Sequence, residues 1–180
     1  MQHKKALLII DMQKGSFTPV TPRYDTAGVV KRINLLAQLF RKNDLPVIFV
    51  QHDGTKGGAF IPNTTEWELL AELDVKANDI IVSKEANDAF YRTNLEKLLH
   101  ELEVNHLVVT GCATDFCVES TIQSALTKNF DITVVSNGHT TGERPSLSAE
   151  KVIQHYNWIW KNMIPTEGKI VVVDFDEIEV

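Results

Sequence analysis

Six short apolar runs rich in Val and Ile recur along the 180 residues: "ALLIID" (6–11), "PVIFVQ" (46–51), "DIIVSK" (79–84), "HLVVTG" (106–111), "DITVVS" (131–136) and "KIVVVD" (169–174). None alternates apolar with polar residues, so each reads as a strand covered on both faces, as in a parallel sheet between helix layers. Apolar residues at three- and four-residue spacing predict amphipathic helices over 26–43, 63–73, 92–102, 115–129 and 146–163. Strands alternating with helices form right-handed βαβ units. The fold class is therefore α/β, a three-layer αβα sandwich with a six-stranded parallel sheet. Periodicity does not give the strand order. A doubly wound order of 3-2-1-4-5-6 would put the switch point between strands 1 and 4, and ligands bind there beyond the carboxyl ends.

No linker, repeat or low-complexity segment divides residues 1–180, and the length suits one domain with a full core. A formal net charge of −6 without a basic cluster argues against a nucleic-acid groove or an anionic membrane surface as partner. "MQHKKALLII" begins as a leader would. Its apolar run ends at Asp11 after five residues, too short for a signal, and no small-residue cleavage site follows. No stretch approaches the ~18 apolar residues of a membrane span. Two cysteines outside any C-x-x-C pair suit a reducing compartment, so a cytoplasmic location is expected.

The polar residues that close the strands carry the chemistry. Strand 1 ends in Asp11, strand 3 in Lys84, and strand 4 runs into "TGCATDFCVES" (110–120), with Cys112 and Cys117. All carboxyl ends of a parallel sheet share one edge, so a carboxylate, an ammonium and a thiol can converge there. Singly, each has an ordinary structural explanation. Together they are complementary, because a thiol of pKa ~8.5 needs a base or a nearby cation to become a nucleophile. Asp11 can take the proton and Lys84 can hold both anions. Cys117 falls in the first turn of the helix over 115–129, where unpaired N–H groups and the dipole favour a thiolate and offer an oxyanion hole. Cys112, in the loop before that helix, reads as a small buried residue near the site.

"LLIIDMQKGSF", "SKEANDAFYRTNLEKLL", "VVTGCATDFCVESTIQSAL" and "VVSNGHTT" resemble the isochorismatase-like cysteine hydrolase family, which includes nicotinamidases and carbamoyl-group hydrolases. The resemblance covers essentially the whole chain. It implies the 3-2-1-4-5-6 order, with Asp11 as general base, Lys84 as support for base and nucleophile, and Cys117 as nucleophile. It also implies a cis peptide between Cys112 and Ala113 that aims the Ala113 N–H, with that of Cys117, at an oxyanion. The implied reaction is hydrolysis of a C–N bond in a small amide, lactam or carbamoyl compound through a thioester, without a cofactor.

Departures from the pattern sharpen the expectation. Metal-dependent nicotinamidases carry Asp-x-His after strand 2 and a further His. Here "QHDGTKGGAF" has His52 and Asp53 adjacent with no histidine following, so no metal is expected and nicotinamide is disfavoured. The isochorismate-cleaving branch lacks the cysteine, so Cys117 favours acyl chemistry. Ether hydrolysis assisted by Asp11 without covalent catalysis, and a non-catalytic binding domain, stand as alternatives. His52 and Phe17 are candidates for the substrate wall, and "GTKGG" (54–58), which lacks phosphate-loop spacing, for a flexible cover. His139 reads as structural. "HYNWIW" (155–160) reads as core or subunit contact and, with the family habit, points to a homo-oligomer, a dimer or tetramer.

Overall fold

Two sets of side chains leave each strand on opposite faces, and both sets are buried. In the computed structural model, which describes residues 4–165 and 167–180, Leu8, Ile10, Ile48, Val50, Leu107 and Val109 face one helix layer. Leu7, Ile9, Val47, Phe49 and Val108 face the other. Met1–His3, the head of the leader-like stretch, lie outside the described residues. The elements are β1 (Lys4–Ile10), α1 (Thr26–Lys42), β2 (Val47–His52), β3 (Ile80–Lys84), α2 (Leu95–Glu101), β4 (Val104–Cys112), α3 (Glu119–Thr127), β5 (Asp131–Thr140), α4 (Ala149–Lys161) and β6 (Ile170–Val173).

All pairings are parallel and the sheet order is β3-β2-β1-β4-β5-β6. Helix α1 covers one face through Val29, Ile33, Leu36 and Phe40. The other face is covered by α2, α3 and α4, which contribute Leu95 and Leu99, Ile122 and Ala125, and Trp160. Each large apolar side chain among these contributes roughly 1.5–3 kcal/mol when fully buried, so each stripe holds its helix to the sheet. Among the described residues no helix is long and apolar enough to cross a membrane.

One predicted helix does not form. Residues 63–73 are turns, because their carbonyls are claimed from elsewhere. Gly15 N–H donates to Glu66 O at 2.9 Å and Lys14 N–H to Glu68 O at 2.8 Å, while Leu70 N–H donates to Met12 O at 2.9 Å. The carbonyl of Trp67 accepts from the side-chain amides of Gln13 (2.8 Å) and Gln51 (3.1 Å). A helix would need those carbonyls for its own N–H groups. The helix over 115–129 also starts differently: Thr114–Val118 form one π turn, with Val118 N–H reaching back to Ala113 O at 3.2 Å, before α3 begins.

Candidate active site

The seam between β1 and β4 sets the site. Gly111 has φ +126°, and a Cβ there would lie 2.2 Å from Ile10 O, so no other residue lets the two strands pass this closely. Immediately beyond it the strands part. Asp11 takes a left-handed conformation (φ 47°), with its N–H on Val50 O at 2.9 Å. That conformation costs a non-glycine residue about 1–2 kcal/mol, and here the sheet on both sides enforces it. The peptide between Cys112 and Ala113 is cis.

Lys84 closes β3 on the same face as Val82, and its side chain is fully buried. Its ammonium lies 2.6 Å from Asp11 Oδ2, 3.3 Å from Cys117 Sγ and 2.9 Å from Ala86 O. An ammonium has three hydrogens, and three acceptors are present. Burial works against the charged form of Lys84, but the Asp11 carboxylate, helped by the hydrogen bond to Cys117 Sγ, outweighs it and holds its pKa above the ordinary lysine value. The second oxygen of Asp11, Oδ1, is buried with no hydrogen-bond partner among the described residues, so it is a free acceptor.

The electrostatics of Cys117 differ from the expectation of a helix-terminus thiolate. Burial first, and then the charge of Asp11, push its thiol well above the usual range, and Lys84 offsets only part of this. Desolvation of an anion outweighs the dipole of one π turn. The resting thiol is therefore protonated, with Sγ 3.6 Å from Asn87 Oδ1. Cys112 packs into the core on the α1 side, and burial pushes its thiol up to about 12.

Asp11, Ala113 and Cys117 open into a cleft of about 290 Å³. Gln13, Ser16 and Arg23 wall it from the loop after β1, His52 and Phe60 from beyond β2, and Asn87 from beyond β3. Phe116 and Arg144 complete it. His52 meets Phe60 edge-on at 6.0 Å; burial, then the charge of Lys84, lower its pKa, and its Nδ1 is buried without a partner among the described residues. Phe17 is not on this wall. It packs against the α1-side core, and the rings facing the cleft are Phe60 and Phe116. Residues 54–58 do not line it either.

His139 lies buried between Thr114 Oγ1 (2.8 Å) and Asn157 Oδ1 (3.0 Å), where burial lowers its pKa to about 4. It props the π turn from behind. Within "HYNWIW", Trp160 is fully buried and Trp158 is exposed. Among the described residues no group of three or more His, Cys, Asp or Glu side chains is placed to hold a metal ion.

Sequence reasoning missed Arg23, Phe60, Asn87, Phe116 and Arg144. Only Arg144 had a legible clue, a lone cation in "TGERP" on the active edge. It holds Asp115 of the π turn with two hydrogen bonds of 2.6 and 2.8 Å.

The family model of the isochorismatase domain matches residues 5–160. A crystal structure of an isochorismatase family protein superposes with a TM-score of 0.87 at 31% identity, covering 94% of this chain and 98% of that one. Nicotinamidase 3 of Arabidopsis thaliana is 26% identical over 71% of this chain and 68% of its own. Ureidoacrylate amidohydrolase RutB of Serratia proteamaculans is 36% identical over 52% of this chain and 39% of its own.

Proposed function

Because the chain belongs to the isochorismatase family of hydrolases, we propose that it cleaves a C–N bond of a small amide, lactam or carbamoyl compound through a thioester on Cys117. The observation that carries this reading is the single buried ammonium of Lys84 bonded to both Asp11 Oδ2 and Cys117 Sγ at the foot of the cleft. The kinship to a nicotinamidase and a ureidoacrylate amidohydrolase supports amide chemistry.

Because the resting thiol is protonated, the step begins with general-base catalysis. Asp11 takes the Cys117 proton as Sγ bonds to the carbonyl carbon, and the Ala113 and Cys117 N–H groups receive the oxyanion. The C–N bond then breaks, and the amine leaves with the proton held by Asp11. Water next attacks the thioester carbon, giving its proton to Asp11, which returns it to the departing sulfur. Lys84 anchors both partners and keeps its charge through the cycle, since its pKa is held above the ordinary lysine value. The same reading takes the enzyme as a cytoplasmic homo-oligomer, with the exposed Trp158 on α4 as a candidate subunit contact.

The test is to incubate the protein with a panel of primary amides, lactams and carbamoyl acids. Ammonia or amine release is followed, and acid-quenched samples are mass-mapped for an acyl group on Cys117. Cys117→Ala should lower turnover by about 10⁴-fold, or ~5.5 kcal/mol of barrier. Turnover that survives Cys117→Ala would transfer the reaction to Asp11 alone and end the covalent reading.

A further inference from the structure

Two guanidinium groups face the cleft, and only one is balanced. Arg144 is matched by Asp115 and also donates to Thr141 Oγ1. Arg23 gives only its Nε, to the backbone oxygen of Ser16 at 2.6 Å. Among the described residues no carboxylate forms an ion pair with it. The acids nearby are committed elsewhere: Asp25 to Arg32, Asp11 to Lys84, and Glu143 to the N–H of Ala149.

The backbone leaves room for this side chain. Arg23 forms an antiparallel bridge with Gly142, where an added Cβ would stand 2.8 Å from Arg23 Nη1. Arg23 is half-buried on the cleft wall, close enough for its charge to act on Cys112 at the floor. Within the site Asp11 cancels Lys84 and Asp115 cancels Arg144. The charge left over is that of Arg23, an isolated cation on the wall of a chain whose net charge is −6. A guanidinium whose terminal nitrogens lack an acid partner matches a carboxylate in shape and charge.

We infer that Arg23 is an anion subsite of this cleft, and that the substrate is a small amide or carbamoyl compound that also bears a carboxylate. A neutral amide would leave this cation unanswered. The inference rests on Cys117 being the nucleophile of the same cleft.

The test uses two alkylating agents of similar size, iodoacetate and iodoacetamide, which differ chiefly in charge and serve whatever the substrate is. Rates at Cys117 are followed by peptide mass mapping, and the iodoacetate-to-iodoacetamide ratio is taken relative to free glutathione. In the native protein this ratio should exceed that of Arg23→Gln by about tenfold, within what one charge at partly solvated range supplies. Added salt should shrink the excess, and Arg23→Lys should restore most of it.

An equal ratio in native protein and Arg23→Gln would overturn the inference. So would both rates changing together, which would mark Arg23 as a strut for the Ser16 loop. If neither reagent labels Cys117, the nucleophile reading fails and takes this inference with it. The two failures are thus told apart.

Discussion

On the floor of the cleft, Asp11 and Lys84 are buried, their backbones are held by strand ends, and each hydrogen of the ammonium has an acceptor. On the rim, the side chains stand on loops and hold one another. Arg144 grips Asp115 and lies 5.1 Å over the ring of Phe116, itself half-exposed, while Phe60 leans on His52. The sheet makes the floor stiff because neighbouring strands fix each position. The rim depends on a few polar contacts in partial contact with water. In the proposed reaction, bond cleavage and substrate choice would thereby fall to two kinds of structure, the second free to change without disturbing the first.

The contrast can be broken most severely at Lys84. Lys84→Met leaves the Asp11 carboxylate buried without its partner and should cost about 3–5 kcal/mol of stability, read by urea unfolding at pH 7. Adding Asp11→Asn should recover part of that loss, since the two act as one unit. A cost below ~1 kcal/mol would mean that the floor is not a closed, dry pair.

His139, behind the π turn, tests whether the floor extends that far. Its folded pKa of about 4 lies below the ordinary histidine value of 6.5. Between these values the unfolded chain binds a proton that the folded chain does not, so stability should fall as pH drops. From pH 7 to 5 the expected loss is about 2 kcal/mol. His139→Gln, neutral throughout, should flatten that part of the profile. An unchanged slope would place the acid sensitivity elsewhere.

The smallest effect belongs to the rim. Arg144→Gln removes a partly exposed pair with Asp115, whose carboxyl is held below the ordinary value by hydrogen bonds from Arg144 and Thr141 despite an opposing burial effect. Thermal or urea unfolding should register about 1 kcal/mol or less. A loss as large as that of Lys84→Met would erase the distinction between floor and rim.

The same division governs what is legible in the chain alone. Strands buried on both faces announce themselves as unbroken Val/Ile runs, and a residue closing such a run has few places to go. Asp11 and Lys84 are legible for that reason, and Cys117 because β4 runs almost directly into the turn that carries it. Arg23 and Phe60 are not, and Arg144 only faintly, because their positions depend on loop paths. Phe17 and Phe60 show this well: both are phenylalanines in loops beyond strand ends, and only one turns toward the cleft. Trp67, Leu70 and Leu73 have helical spacing, yet the buried amides of Gln13 and Gln51 capture the carbonyl that a helix would have used. A π turn has no residue signature, so the start of α3 reads from sequence as an ordinary first turn.

The pairing of residues 66–70 with 12–15 also says something about the order of assembly. Gln13 reaches across 54 positions in sequence to bond Trp67, and across 39 to bond His52. A helix at 63–73 could have formed early from its own neighbours. Contacts of such separation must wait until β1 and β2 already lie side by side. The segment carrying Phe60 and Trp67 is therefore expected to order after the central strands and to loosen before them. Native-state hydrogen exchange should show its amides opening at lower free energy than those of β1 and β4. The segment that walls the cleft is thus expected to be fitted onto strands that are already paired.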